Sequence, residues 1–137
     1  MPTTAEVAEF IRREFPQARV VIDAVGDRSA TVSQQVEEAD LRPGGTVSGP
    51  TLMALADVAL YAAVLGEIGI VPLAVTTSLT INFLRRPDAD RRVIAVCRLM
   101  KVGKSLAMGE VSLYSEGLEE PVAHAVGTYA IPPQHLR

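Results

Sequence analysis

The sequence has little of several residue types on which whole classes of protein depend. It contains no Trp, and aromatic residues make up only 4% of its 137 residues, so it does not offer the aromatic platforms on which nucleic-acid bases stack. Its formal net charge of −3 also argues against general nucleic-acid binding. Its one cysteine, Cys97, excludes an intramolecular disulfide and a cysteine-based zinc site, and it suits a reducing compartment.

Targeting, membrane and metal signals are also missing. The N-terminal stretch has acidic residues within its apolar pattern and lacks the hydrophobic region of a signal peptide. The most apolar stretch, Leu52–Leu65, is too short to span a bilayer and contains Asp57. His124 and His135 do not have metal-ligand spacing. These absences predict one soluble, cytoplasmic domain over residues 1–137, with no metal or redox cofactor and no membrane partner.

Two helices are predicted. Thr3 and Glu6 form a capping-box signature that begins a short amphipathic helix, which Pro16 ends. A second helix over Pro50–Leu65 has Ser48 or Gly49 as its cap and Gly66 just past its end. Because this helix is apolar on nearly every side, it has to be enclosed by other elements.

Six strands are predicted around that helix, at Arg19–Val25, Ser29–Glu37, Val75–Leu84, Arg92–Lys101, Ser105–Ser115 and Val122–Ile131. In the third strand, Thr77 is the one polar residue on the apolar face. In the last strand, Ala123, Ala125 and Gly127 form a small face that suits close approach of a helix. Strands weighted to one end of the chain predict an α+β fold in which an antiparallel sheet wraps around one long central helix.

The central helix carries one charge, Asp57, which is costly to bury unless the carboxylate is paired, protonated or used. Eight residues upstream, Gly49 stands at the helix start, where free N–H groups favour a developing negative charge. A carboxylate base and an oxyanion donor are what acyl transfer needs. Eight residues of helix span about 12 Å, so one chain cannot bring both to one site. Two copies packed antiparallel would do so, which predicts a homodimer.

Five segments carry a resemblance to a known family. They resemble the hotdog-fold acyl-CoA thioesterases of the phenylacetate-degradation (PaaI-like) type, over nearly all of residues 40–131. The segments are Gly45–Pro50, Leu55–Asp57, Thr76–Pro87, Val102–Ala107 and Ala125–Tyr129.

The resemblance implies a hotdog fold, hydrolysis of an acyl-CoA thioester, and dimers that often pair into tetramers, with coenzyme A at the subunit interface. It implies that the Gly49 N–H polarises the thioester carbonyl and that Asp57 of the partner subunit acts as nucleophile or general base. It also assigns the assisting strand hydroxyl to Thr77. Coenzyme A enters as part of the substrate, and no separate cofactor is implied.

The chain departs from the family's pattern at two positions. Ser48 stands where the family usually has His, and Arg42 stands where it usually has Asn or Gln. An arginine cannot accept a hydrogen bond, but it can clamp a carboxylate or phosphate of the substrate. We expect reduced activity or a shifted substrate. Arg85, Arg86 and Lys104 are the candidates for contacts with the phosphates of coenzyme A.

Other interpretations remain open at this point. Asp57 can be a structural acid that is paired with an arginine or caps a loop, Ser48 can be a helix cap, and Thr77 can be a hydroxyl bonded to backbone. The whole protein can be a non-catalytic acyl-CoA binder in which Arg42 and Ser48 record lost chemistry. A hydratase of the same fold is a weaker alternative, since such enzymes resemble this chain but use an Asp and a His close together on one helix, and residues 50–66 contain no His.

Overall fold

The computed structural model describes all 137 residues, as two helices and a six-stranded antiparallel sheet. The helices are α1 (Thr4–Glu14) and α2 (Gly49–Ile68). The sheet strands are β1 (Val20–Gly26), β2 (Ser29–Gln34), β5 (Val75–Phe83), β6 (Val93–Val102), β7 (Leu106–Ser115) and β8 (Ala123–Ala130). The predicted order of helices and strands is confirmed. Sequence reasoning missed a two-residue ribbon of β3 (Leu41–Arg42) and β4 (Thr46–Val47), and two short 3-10 turns at Glu38–Asp40 and Gln134–Leu136.

The strands lie in the order β1-β2-β6-β7-β8-β5, and every neighbouring pair is antiparallel. The sheet wraps around α2, so the predicted antiparallel sheet around one central helix is confirmed. Strand β5 follows α2 in the chain but crosses to the far side of the sheet, where it pairs only with β8. It is therefore an edge strand whose second edge is open.

Two glycines let α2 approach the sheet closely. Gly109 and Gly127 face each other across β7 and β8. A Cβ atom on Gly127 would lie 2.5 Å from Leu60 Cδ2, and one on Gly109 would lie 2.9 Å from Leu60 Cδ1. The pair forms a dent that accommodates Leu60, which confirms the prediction that the small face of the last strand receives the helix.

Helix α2 is longer than the sequence predicted. It continues to Ile68 and ends at Gly69, whose φ of 100° lies in the left-handed region that favours glycine. Gly66 is inside the helix instead, where a Cβ atom would lie 2.4 Å from Val25 Cγ1. At 20 residues, α2 is long and apolar enough to cross a membrane, which the estimate from Leu52–Leu65 missed, but most of it is buried as a core helix is.

The expectation that α2 is fully enclosed fails within one chain. Pro50, Met53 and Ala54 are exposed, and Asp57 and Val58 are half-buried. These residues recur at the spacing i, i+3, i+4, i+7 and i+8, so they form one open stripe along the first half of the helix. We call them the α2 stripe.

Helix α1 closes one end of the molecule. The Thr3 hydroxyl accepts the Glu6 backbone N–H at 3.1 Å, and the Glu6 carboxylate accepts the Thr3 N–H at 3.0 Å, which confirms the capping box. The apolar face of the helix buries Val7, Phe10 and Ile11. This packing fixes the C-terminal end of α1 beside the middle of α2.

Candidate active site

Asp57 lies in the third turn of α2, half-buried, with its carboxylate held on one side only. Its Oδ1 atom accepts a hydrogen bond from the Thr76 hydroxyl at 2.6 Å and another from the Tyr129 hydroxyl at 2.9 Å. Its Oδ2 atom has no partner in the chain, and no basic side chain forms an ion pair with Asp57. The alternative of a structural pair with an arginine is therefore wrong within the protomer.

Strand register explains why these two hydroxyls meet. Thr76 on β5 and Tyr129 on β8 are direct cross-strand partners on the face that α2 covers. A bulge follows Thr76 and shifts Thr77 out of the alternation. Thr77 is exposed, and its hydroxyl donates to the Thr128 carbonyl at 3.3 Å. The structure thus corrects the expected position of the strand hydroxyl beside Asp57 from Thr77 to Thr76.

The Tyr129 phenol keeps its proton at neutral pH. Burial raises the pKa of its phenol, and the negative charge of Asp57 raises the pKa further. The phenol therefore stays protonated and can only donate to the carboxylate beside it. No spacing or composition signal in the sequence marks Tyr129 as a site residue, although it belongs to one of the segments that carry the family resemblance.

A cleft of about 250 Å³ opens beside the carboxylate, and we call it the tyrosine cleft. Both α1 and α2 contribute to it, as do the α2–β5 loop and the strands β5 and β8. It is lined by Asp57, Thr76, Tyr61 and Tyr129 together with the apolar residues Ile11, Phe15, Ala18, Val58, Pro72, Ala74 and Val75.

At the other end of the α2 stripe, Gly49 is the first residue of the helix and its N–H makes no hydrogen bond within the chain. Ser48 is the N-cap, as predicted: its Oγ accepts the Thr51 N–H at 3.3 Å and lies 2.9 Å from the Thr51 hydroxyl. A Cβ atom on Gly49 would lie 3.1 Å from the ring of Phe83. The free amide is thus placed at the positive end of the helix.

Three of the predicted basic residues lie near Gly49. A cleft of about 520 Å³, which we call the arginine cleft, is lined by Arg42, Arg85 and Arg86 as well as by Gly49. Arg85 forms an ion pair with Glu120 at 3.1 Å, whereas Arg42 and Arg86 form none. The structure therefore brings Arg42, Arg85 and Arg86 together at the start of α2.

Lys104 is separate from this group within the protomer. It follows β6 and lines a third cleft, of about 450 Å³, whose other basic residue is Lys101. Asp57 does not line the arginine cleft, nor does Gly49 line the tyrosine cleft. A single protomer therefore presents the predicted site residues in three separate places.

The remaining candidates lie away from these clefts. The His124 Nε2 atom lies 2.8 Å from a carboxylate oxygen of Glu110 on the adjacent strand. Cys97 is fully buried, and that burial raises the pKa of its thiol to about 12, so the thiol is not reactive at neutral pH. No group of three or more His, Cys, Asp or Glu side chains is arranged to hold a metal ion.

Comparisons with known proteins identify the family of the chain. A model of the thioesterase superfamily matches residues 44–122. The chain is similar to a solved structure of a candidate thioesterase from Silicibacter sp. TM1040, with 44% identity over 96% of this chain and 92% of that one, and a TM-score of 0.88. No curated protein sequence matches the chain.

More distant structures share the same architecture. A variant of the phenylacetic acid degradation protein PaaI from Thermus thermophilus is 26% identical over 90% of this chain and 99% of its own, with a TM-score of 0.75. The PaaI protein of E. coli, at 22% identity over 95% of this chain and 94% of its own, shares the fold with a TM-score of 0.83. The matched model covers more than half of the chain, and the chain therefore belongs to the thioesterase superfamily, with the hotdog fold of its PaaI-like members.

Proposed function

We propose that this protein hydrolyses acyl-CoA thioesters in a site that two copies of the chain share, with Asp57 as nucleophile or general base. The observation that carries the proposal is the arrangement of the carboxylate. Two hydroxyls fix Oδ1, Oδ2 is without a partner, and Asp57 lines a cleft. A carboxylate held in this way keeps one oxygen free for a reacting carbonyl or a water molecule.

The second requirement is a donor for the oxyanion. The Gly49 N–H is unpaired and lies at the positive end of α2, which suits the charge that develops on a thioester oxygen. It is eight residues from Asp57, about 12 Å along the helix. A thioester carbonyl is far smaller than this separation, so Asp57 of one protomer works with Gly49 of its partner.

Two open surfaces support such a dimer. The α2 stripe leaves the apolar helix uncovered on one side, and the nine-residue β5 has one unpaired edge. Val75 and Phe83, at the two ends of β5, are both about half exposed. An open edge strand readily pairs with a second copy of itself. Antiparallel packing of two copies covers both surfaces, and pairing of two such dimers would form a tetramer.

In this site the reaction follows one of two balanced routes. As a base, Asp57 takes a proton from water, and the resulting hydroxide attacks the thioester carbon. As a nucleophile, Asp57 attacks the carbon itself and forms an anhydride that water then cleaves. In both routes the Gly49 N–H stabilises the oxyanion, and the carbon–sulfur bond breaks to release coenzyme A as a thiolate, which takes up the proton that the water molecule gives up.

The arginine cleft supports coenzyme A as the carrier. Arg42 and Arg86 carry unpaired charges beside Gly49, and Arg85 is held there by an exposed carboxylate. Guanidinium groups bind phosphates in a two-pronged manner, and coenzyme A carries three. Lys104 supplies a further cation when the cleft that it lines with Lys101 in the partner subunit lies along the bound coenzyme A. A cytoplasmic location, where acyl-CoA esters are handled, fits the single reduced cysteine.

A hydrolysis screen over short, long and aromatic acyl-CoA esters tests the proposal, with release of free thiol as the readout. Asp57→Asn should lower kcat by about 10²- to 10⁴-fold. Asp23→Asn, the same change at an exposed position of β1, serves as the matched control and should have wild-type activity. Equal activity of Asp57→Asn and wild type contradicts the mechanism. Binding of the esters by the wild type without turnover identifies the protein as a non-catalytic binder.

A further inference from the structure

Asp40 is the only charged side chain that the fold buries, and it lines neither the tyrosine cleft nor the arginine cleft. Burial of a carboxylate is costly unless the group is paired and hydrogen-bonded. A buried ion pair adds little net stability over an apolar pair of the same volume. Such a pair is instead a candidate for fixing the geometry of the segments that it joins.

The carboxylate of Asp40 ties its loop to one edge of the sheet. Its Oδ1 atom accepts hydrogen bonds from the Arg19 guanidinium at 2.7 Å and from the Gln34 side-chain amide at 3.3 Å, and its Oδ2 atom accepts the Glu37 N–H at 2.8 Å. Arg19 directly precedes β1 and Gln34 ends β2, so both side chains belong to the pair of strands at that edge. The loop of residues 35–48, which joins β2 to α2, is thus fixed to the sheet at Asp40.

The backbone of Asp40 holds the start of α2. Its carbonyl accepts the Ser48 N–H at 2.8 Å, and Ser48 directly precedes Gly49. Between Asp40 and Ser48 the chain runs out along β3 and back along β4. At the tip of this ribbon, Gly44 and Gly45 have left-handed φ angles, and a Cβ atom on either would meet nothing within 4 Å. The tip therefore gives the start of α2 no support, whereas Asp40 closes the base of the ribbon.

This bond bears on the direction of the Gly49 N–H. The Ser48 carbonyl accepts the Leu52 N–H at 3.3 Å, so it points along the helix. In a planar trans peptide the C=O and the following N–H point in opposite directions, and the Gly49 N–H therefore points out of the helix start. The plane of that peptide depends on how Ser48 is held, by Asp40 on one side and by the first turn of α2 on the other.

We propose that Asp40, tied to the sheet by Arg19, is a positioning residue that aims the Gly49 N–H at the thioester oxygen. This inference rests on the proposed function, because it takes that N–H as the oxyanion donor. It extends the function to a residue outside both clefts. A misplacement of about 1 Å, caused by a change far from the chemistry, costs about 100-fold in rate.

The test compares Asp40→Asn with Val111→Ala. Asp40→Asn keeps the size of the side chain but removes the charge that pairs with Arg19, and we expect it to lower kcat by about 10- to 100-fold. Val111 is fully buried on β7 and lines neither cleft, so Val111→Ala lowers stability but should keep the wild-type kcat. Urea unfolding checks that both variants are folded under the assay conditions.

Two kinds of substrate separate an effect on the amide from an effect on coenzyme A binding. The Gly49 N–H serves every thioester, so Asp40→Asn should lose the same factor in kcat on acyl-CoA esters and on acyl thioesters without phosphates. Equal kcat of Asp40→Asn and wild type overturns the inference. A loss confined to the coenzyme A esters also overturns it, because the effect then lies in the binding of the carrier.

A double variant tests whether Arg19 and Asp40 act through one contact. Arg19 lines neither the tyrosine cleft nor the arginine cleft, but Arg19→Gln leaves the Asp40 charge without its cation and should also lower kcat, by about tenfold. The double variant of Arg19→Gln and Asp40→Asn should lose no more than Asp40→Asn alone. Losses that multiply would show that the two residues act separately, which contradicts the proposal.

Amide hydrogen exchange gives a readout without catalysis. The Ser48 N–H is bonded to the Asp40 carbonyl. It should therefore exchange about tenfold faster in Asp40→Asn than in Val111→Ala, which loses stability elsewhere in the fold. If the wild type cleaves no ester, the proposed function fails, but this difference still supports the hold of Asp40 on the start of α2. Equal exchange of the Ser48 amide in the two variants refutes it.

Discussion

Thr76 and Thr77 are adjacent and chemically identical, but only Thr76 contacts Asp57, so substitutions at the two positions should have different effects. Thr76 donates to Asp57 Oδ1 at 2.6 Å, whereas Thr77 donates to a backbone carbonyl on β8. Thr76→Val and Thr77→Val replace each hydroxyl by a methyl group of similar size. Only the first change removes a hydrogen bond from the carboxylate.

The expected magnitude follows from the kind of bond. A hydrogen bond to a charged group contributes about 1.5–3 kcal/mol, and each 1.36 kcal/mol corresponds to about a tenfold change in rate. Thr76→Val should therefore lower kcat by about 10- to 150-fold. KM should change little, because Thr76 does not line the arginine cleft. Tyr129→Phe removes the other donor, at 2.9 Å, and should cause a loss of similar size.

Thiol release under steady-state conditions measures these rates, and circular dichroism with urea unfolding checks that each variant is folded. Thr77→Val should retain wild-type kcat. If Thr77→Val loses as much activity as Thr76→Val, or if neither loses any, the reasoning from the Asp57 contacts is refuted.

Three further predictions concern packing, pH and the carrier. Gly127→Ala should lower the free energy of unfolding by about 1–3 kcal/mol, measured in urea, because the new methyl group would lie 2.5 Å from Leu60 Cδ2; an unchanged midpoint would contradict the close approach. Burial raises the pKa of Asp40, but hydrogen bonds from the Glu37 N–H and Arg19 outweigh it, so the folded pKa lies below its usual value. The stability from Asp40 should then be complete above the unfolded pKa of about 3.9 and be lost as pH falls through the folded pKa, and Asp40→Asn should lose less stability on acidification than wild type. Arg86→Ala should raise KM for acyl-CoA esters but not for acyl thioesters without phosphates, and equal effects on both would exclude Arg86 as a phosphate contact.

Much of the fold could be predicted because its patterns are local. The capping box at Thr3, the alternation along the strands and the small face around Gly127 each follow from neighbouring residues. The end of α2 could not be predicted from neighbouring residues. Gly66 and Gly69 are equally good stop signals in the sequence, but in the structure Gly66 lies inside the helix, packed so closely on Val25 that a Cβ atom would not fit, and Gly69 ends it.

The site was harder to predict because it depends on register and on a second copy. Alternation predicts that inward residues are two apart, and the bulge after Thr76 breaks that rule without a sequence signal. Tyr129 is 72 positions from Asp57 in the sequence, and the pairing of β8 with β5 places it opposite Thr76, beside the carboxylate. The distance between Asp57 and Gly49, by contrast, followed from helix geometry alone.

Mixed dimers show whether Asp57 and Gly49 act together across a subunit boundary. Asp57→Asn lacks the carboxylate, and Gly49→Val crowds the amide of the oxyanion donor, so each homodimer should be inactive. Random pairing of the two chains makes half of the dimers mixed, and each mixed dimer has one site with both Asp57 and Gly49 intact. We therefore expect co-expression to recover about a quarter of wild-type activity. No recovery from folded, mixed dimers would show that the two residues do not meet across a subunit boundary.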